Sequence, residues 1–324
     1  MAHRLIDRRA VGGLAGAWVG TSMIGASAVR AATIAVAPAS RLTPPADQPY
    51  TPPVSLTTVA DIYRRMTAPV QIAGQGPFAF VVDTGANRSV IAADVVARLG
   101  LTTGPAVAIN GAAGVIMAPS VETTMKLGAR PASVVAFAVL PTAAIGGPGM
   151  LGLDTLEHQL VTLDFKGQSL RVEAPGRLWR DPDDIAMKAI RRDGQMTLVD
   201  ADLAGIAITA FLDSGAQNTV GNLALRELAV VRRPTAPRMG TVIVSATGQS
   251  IDAEMLDLPN LRVGGMRLPN WPVAFADLHT FKLWNLTKRP AILLGVDVLS
   301  RFETVCLDFS RNEVRFRLPR SGWS

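Results

Sequence analysis

Two short strings in the sequence carry an acid in a setting suited to catalysis: Asp83-Thr84-Gly85-Ala86 and Asp213-Ser214-Gly215-Ala216. They stand 130 residues apart, each at the end of an apolar run, FAFVV before the first and ITAFL before the second. One such string alone fits an acid in a strand-end turn, with glycine supplying a positive φ. Two in matching frames point to chemistry that needs a pair of carboxyl groups. At about 3 Å such a pair cannot ionise twice, so it keeps one shared proton. The ionised member draws a proton from a water between them, and the protonated member donates to the carbonyl oxygen under attack. Glycine after the hydroxyl residue lets the backbone fold tightly and approach a carboxylate closely. The Thr84 and Ser214 hydroxyls are able to bond across and hold the two loops together.

Other chemistries find little support. The three histidines (His3, His158, His279) are far apart and Cys306 is the only cysteine, so no His/Cys metal set and no internal disulfide forms. Neither His158 nor His279 lies near a nucleophile motif. GPGMLG at 147–152 fits G-x-G-x-x-G, with Glu173 downstream, but the preceding apolar run ends too early and the paired segment RPAILLG at 289–295 lacks the first two glycines. No metal or cofactor is expected. The formal net charge is +6, yet residues 1–31 contribute four Arg against one acid, leaving 28 basic and 25 acidic residues. These are scattered without aromatic interleaving, so nucleic acid is not an expected partner.

The carboxyl pair needs two similar frames to hold it, and the chain repeats itself. Residues 78–86 (FAFVVDTGA) match 208–216 (ITAFLDSGA), and MLGLDTLEHQLVTLDF at 150–165 matches LLGVDVLSRFETVCLDF at 293–309. Short β-branched runs punctuated by Gly and Pro predict an all-β closed sheet in each half. Helix is confined to short pieces. One is predicted on the stripe Val90, Ile91, Val95, Val96 and Leu99, stopped by Gly100; another on Leu223, Leu225 and Leu228, with Asn222 as N-cap. Asp154 and Asp297, two residues after each apolar-apolar-Gly, are expected to cap short helices. Asp164 and Asp308 read as edge or turn-facing residues, and Cys306 as a buried, inert thiol. Trp271 and Trp284 lie in a segment, 270–290, that the first half lacks; they pack in the core or wall a cleft.

Residues 1–31 read as an export signal: Arg8-Arg9, a weakly apolar run from Ala10 to Val29, then small residues suited to cleavage. The arginine pair resembles a twin-arginine signal, which implies a periplasmic or secreted protein. Residues 32–57 are rich in Pro, Ala and Thr and read as a linker. Lobe 1 is then expected over 58–180 and lobe 2 over 181–324. After residue 30 no run of eighteen apolar residues occurs, so no membrane span is expected in the mature chain.

On DTGA at 83–86, DSGA at 213–216, MLG at 150–152 and LLG at 293–295, the chain resembles the retropepsin-like branch of the pepsin/retropepsin aspartic proteases. The likeness covers about residues 62–318, in a bacterial exported form with both lobes on one polypeptide. It implies two pseudo-symmetric, barrel-like β lobes with the active site between them, and an endopeptidase acting as a monomer on peptide or protein substrates. Carried over, Asp83 and Asp213 are the catalytic dyad, Gly85 and Gly215 lie in the active-site turns, and Thr84 and Ser214 make a cross-lobe network. The apolar-apolar-Gly segments would pack behind the loops. Flap candidates are Asn110–Gly114, with Gly111 and Gly114, and Ser245–Gln249, with Thr247 and Gly248. Asn87 and Gln217 replace the Asp that viral relatives carry after DTGA, and both tyrosines (Tyr50, Tyr63) precede the first motif, so neither flap carries a ring. Ala86 and Ala216 stand where pepsin-type sites often have a hydroxyl donor, which implies a mildly acidic working range. The other readings of such a chain are a non-catalytic peptide-binding protein, or a structural envelope protein, that retains the fold.

Overall fold

A computed structural model describes residues 54–57, 59–60, 65–156, 159–174, 182–192 and 195–319. The expected export signal and most of the linker lie outside the described residues. The described part belongs to one compact unit, Pro49–Ser324, and is mostly β, with two lobes of curled sheet and a few short helices.

In the first lobe, Met66–Ile72, Gln75–Val82, Gly149–Leu151, Val90–Ala92, Ser133–Leu140 and Val115–Leu127 pair in that order. The last strand also pairs back to the first, Val70 opposite Leu127, so the sheet closes on itself. Val115–Leu127 shows why it folds this way: Val121, Thr123, Met125 and Leu127 alternate inward, the period-two pattern of a strand with one wet face. Phe80-Val81-Val82 is buried without alternation, as expected of a central strand covered on both faces.

The second lobe repeats this order with Gln195–Leu203, Ile206–Leu212, Ala291–Leu294, Val220–Gly221, Trp271–Phe275 and Ser250–Leu258. Here the closing contact is made by Leu261–Val263, the continuation of Ser250–Leu258 past a turn, with Ala201 opposite Val263. In both lobes the apolar-apolar-Gly strand lies parallel beside the strand that leads to the acid: Val82 opposite Leu151, and Leu212 opposite Leu294.

The lobes are joined by a shared sheet whose order is itself pseudo-symmetric. Val54–Thr57, Ser169–Glu173 and Leu160–Asp164 meet Thr304–Asp308, Glu313–Arg317 and Asp184–Arg192, with Thr162 opposite Cys306 at the centre. Its first strand falls within the stretch expected to be linker. Asp164 and Asp308 face turns as expected, Asp164 accepting from Gly167 N at 2.6 Å and Asp308 from Ser310 N at 3.1 Å. Cys306 is buried and free.

Two local readings need correction. Val90–Ala92 is a strand, and the helix begins only at Ala93, because Val90, Ile91 and Ala92 pair in parallel with Ala138, Val139 and Leu140. Gly100 does end that helical stretch, at φ +61. The second helix, Leu223–Arg232, is capped as read, Asn222 Oδ1 accepting from Leu225 N at 2.8 Å. Asp154 and Asp297 do not cap their helices; each reaches instead to the loop beyond the acid of its own lobe, as described below. Among the described residues, no helix is long and apolar enough to cross a membrane.

Candidate active site

The parallel strands deliver both acids to one place. Asp83 N donates to Leu151 O and Asp213 N to Leu294 O, each at 3.0 Å, so every acid is anchored to its own apolar-apolar-Gly strand. After the acid the chain turns back over that strand: Leu153 N donates to Ala86 O at 2.8 Å, and Val296 N to Ala216 O at 2.9 Å. Gly152 and Gly295 are required by this crossing. A Cβ on either would stand 2.6 Å from the backbone carbonyl carbon of Arg88 or Asn218. These segments therefore pack behind the loops, as the resemblance implied.

Each loop then points two N–H groups at its own acid. Asp83 Oδ1 accepts from Gly85 N (2.8 Å) and Ala86 N (2.9 Å); Asp213 Oδ1 accepts from Gly215 N and Ala216 N (2.9 Å each). Thr84 and Ser214 link the loops across the lobes. Thr84 Oγ1 donates to Leu212 O at 3.0 Å and Ser214 Oγ to Val82 O at 2.7 Å, and each oxygen also accepts the other residue's N–H. A Cβ on Gly85 would overlap the Asp213 carboxyl, and one on Gly215 the Asp83 carboxyl. Only glycine lets the two loops come this close.

The two carboxyl groups are hydrogen-bonded to each other at the base of the cleft between the lobes. Burial pushes Asp83 above the ordinary Asp value, while the Gly85 and Ala86 N–H groups and the Arg65 charge pull it back. Burial, with the neighbouring Asp83 charge added, holds Asp213 well above that value. The arrangement favours one negative charge on the pair, centred on Asp83.

Behind each loop sits a repeated tie that the capping reading missed. Asp154 accepts from Ser89 N at 2.9 Å and from Ser89 Oγ at 2.6 Å, and Ser89 Oγ accepts from Gly152 N. Asp297 accepts from Thr219 Oγ1 at 2.7 Å, and Thr219 Oγ1 accepts from Gly295 N at 3.1 Å. The signal was present in the sequence: Ser89 and Thr219 each stand six residues after their acid. Trp271 Nε1 adds a bond to Asp297 at 3.3 Å.

The cleft has a volume of about 1020 Å³ and is lined from both lobes. Its roof is made by two hairpin tips, 111–114 and 245–249, which meet. Ala112 N donates to Ser245 Oγ at 3.3 Å, and a Cβ on Gly111 would overlap the Thr247 and Gln249 side chains. Each tip also reaches the opposite lobe. His279 N donates to Ala112 O at 2.6 Å, and a Cβ on Gly248 would lie 3.8 Å from Ala144 Cβ. Gly114 and Gly248 take positive φ values in their turns, +151 and +79. Trp284 combines both readings offered for it: it stacks on Phe211 at 4.0 Å and lines the cleft. Arg65, which sequence reasoning passed over, is buried, lines the cleft, and donates Nη2 to Ile145 O at 2.9 Å. No local motif marks it, because only folding brings it to the acid eighteen residues on.

A family model described as aspartyl protease matches residues 68–155 and 199–298, more than half of the chain. Each matched stretch contains one acid motif and most or all of its supporting frame. A comparison with curated proteins gives no match.

Proposed function

Since the chain belongs to the aspartyl protease family, we propose that it is an aspartic endopeptidase in which Asp83 and Asp213 activate a water against a peptide carbonyl. The observation that carries this reading is the pair of carboxyl groups bonded to each other in a shared, buried site, each loop aiming two N–H groups at its own acid.

Asp83, raised less than Asp213 because its loop N–H groups and Arg65 offset part of the effect of burial, is the base that takes a proton from the water. Asp213, whose carboxyl holds its proton most firmly, donates to the carbonyl oxygen as the tetrahedral centre forms. Collapse of that centre breaks the C–N bond as the newly protonated Asp83 gives its proton to the leaving nitrogen. One hydroxyl of the centre returns its proton to Asp213 as the carbonyl re-forms, which restores the singly protonated pair. No covalent bond to the protein forms. The two tips close over the substrate strand, exclude water and raise the strength of each hydrogen bond beneath them. Because both acids lie on one polypeptide, the active species is the monomer.

The Arg8-Arg9 leader and the small residues after it support action in the periplasm or outside the cell, where exported proteins and peptides are the available substrates. The test is hydrolysis of a random peptide library by the mature chain, followed by challenge with a peptide carrying a secondary alcohol in place of the scissile carbonyl. Such a mimic of the tetrahedral centre should block cleavage at far lower concentration than the parent peptide competes. Equal potency of the two would contradict the mechanism; binding without any cleavage would favour a peptide-binding protein.

A further inference from the structure

A cleft built on a pseudo-two-fold presents nearly the same backbone to a peptide lying in either direction. The dyad alone does not choose between them. Charge does. Apart from Asp83 and Asp213, the charged residues that line the cleft, among the described residues, are Arg65 and Arg88, and both come from the first lobe. At the matching offset of 130 the second lobe has Gln195 and Asn218, and Asn87 is answered by Gln217. One half of the cleft is therefore cationic and the other neutral, with apolar walls between them such as Leu140, Met150, Ile243 and Trp284.

We infer that Arg88 and Arg65 receive a carboxylate of the bound peptide on the first-lobe side, and so fix both an acidic preference and the direction in which the peptide lies. Arg88 is half-buried directly after the catalytic loop, with Nη1 donating to Ala136 O at 3.3 Å. A guanidinium has five N–H donors in a planar fork, so that single bond does not exhaust it. Arg65 is 6% exposed and held by the Ile145 carbonyl, which places its charge before substrate arrives. A fixed cation between apolar walls attracts an anion more strongly than one in open solvent. The carboxylate comes either from an Asp or Glu side chain or from a free peptide C-terminus; both offer the same planar pair of oxygens.

The inference rests on the peptidase reading, and its test is arranged to separate the two. Paired peptide libraries are made in which Asp and Glu, or Asn and Gln, are scanned through each position, with free or amidated C-termini. They are offered to the wild type for cleavage, and to immobilised Asp213→Asn protein for capture. We expect acid-bearing peptides to be cut and captured about tenfold or more in preference to their amide partners, with the acid at one position on one side of the scissile bond. An advantage that survives amidation assigns the carboxylate to a side chain; one that needs the free end assigns it to the terminus. Arg88→Asn, which installs the second lobe's own residue, should bring the ratio close to one, while Arg88→Lys should retain part of it. Cleavage or capture indifferent to the acid, or a preference unchanged in Arg88→Asn, would overturn the inference. If the wild type cuts nothing, the peptidase reading fails and capture still decides the charge reading; capture of no peptide overturns both.

Discussion

Thr84 and Ser214 exchange hydrogen bonds across the two lobes: each hydroxyl oxygen accepts the other's backbone N–H at 3.1 Å and donates to the carbonyl two residues before the other. All four groups are buried, so none can turn to water when a partner is lost. Ser214→Ala strands the Thr84 N–H and the Val82 carbonyl, at about 1–3 kcal/mol for each group. We therefore expect it to lose about 2–6 kcal/mol of stability. Thr84→Ser keeps every bond and gives up one methyl group, about 1 kcal/mol. Urea unfolding of the two variants beside the wild type checks this; equal losses would show that the network adds little.

Gly85 and Gly215 bear on activity more than on folding, because the space a methyl group needs is taken by the opposite carboxyl. Gly85→Ala should push the dyad apart and lower kcat/KM by about a hundredfold or more, the scale of an ångström-sized misplacement. Gly147→Ala is the control, since nothing lies within 4 Å of a Cβ there and its φ is not positive. Peptide hydrolysis by the two folded variants distinguishes them.

What could be read in advance follows from how locally each feature is encoded. Asp83, Asp213, their hydroxyl and glycine neighbours and the apolar-apolar-Gly segments are contiguous strings that occur twice, so self-comparison finds them. Turns at 111–114 and 245–249 were also legible, from Gly111, Gly114 and Gly248 between β-forming runs, whereas the meeting of the two tips was not. Val90–Ala92 was misread because its apolar stripe fits a helix, and only Ala138–Leu140, some 48 residues on, makes it a strand. Asp154 and Asp297 looked like caps because capping is the commonest local use of such an acid. Their true partners, Ser89 and Thr219, arrive through the crossing behind the loops. Arg65 bears no local mark at all, and Val54–Thr57 joins a sheet only because Ser169–Glu173 offers it an edge.

The dyad also leaves a mark on stability. Both carboxyls are raised above the ordinary value of 3.8, so between that value and the raised ones the folded protein binds more protons than the unfolded chain. Stability is then lost as pH rises through that window. Asp213→Asn keeps an oxygen for the Gly215 and Ala216 N–H groups and removes the penalty. It should unfold at higher urea concentration than the wild type at pH 7, with the advantage shrinking on acidification and absent below pH 3.8. An advantage independent of pH would contradict this origin.

The meeting of the hairpin tips predicts a binding phenotype. Gly111→Ala drives a methyl group into Thr247 and Gln249 and so separates the tips. The dyad lies apart from this contact, so KM should rise several-fold while kcat falls less. Steady-state kinetics on a single cleaved peptide measures the split. A fall in kcat at constant KM would mean that the tips act on the chemical step rather than on holding substrate.

The claim that two acids on one chain share the chemistry is tested most directly by kcat/KM for one cleaved peptide, measured with wild type, Asp83→Asn and Asp213→Asn across protein dilution. Asparagine preserves the loop hydrogen bonds at either position but cannot exchange the proton. Each variant should lose at least about a thousandfold, the usual worth of positioned acid–base catalysis, while the wild-type rate per molecule stays constant on dilution. Retention of activity by either variant, or a wild-type rate that collapses on dilution, would contradict it.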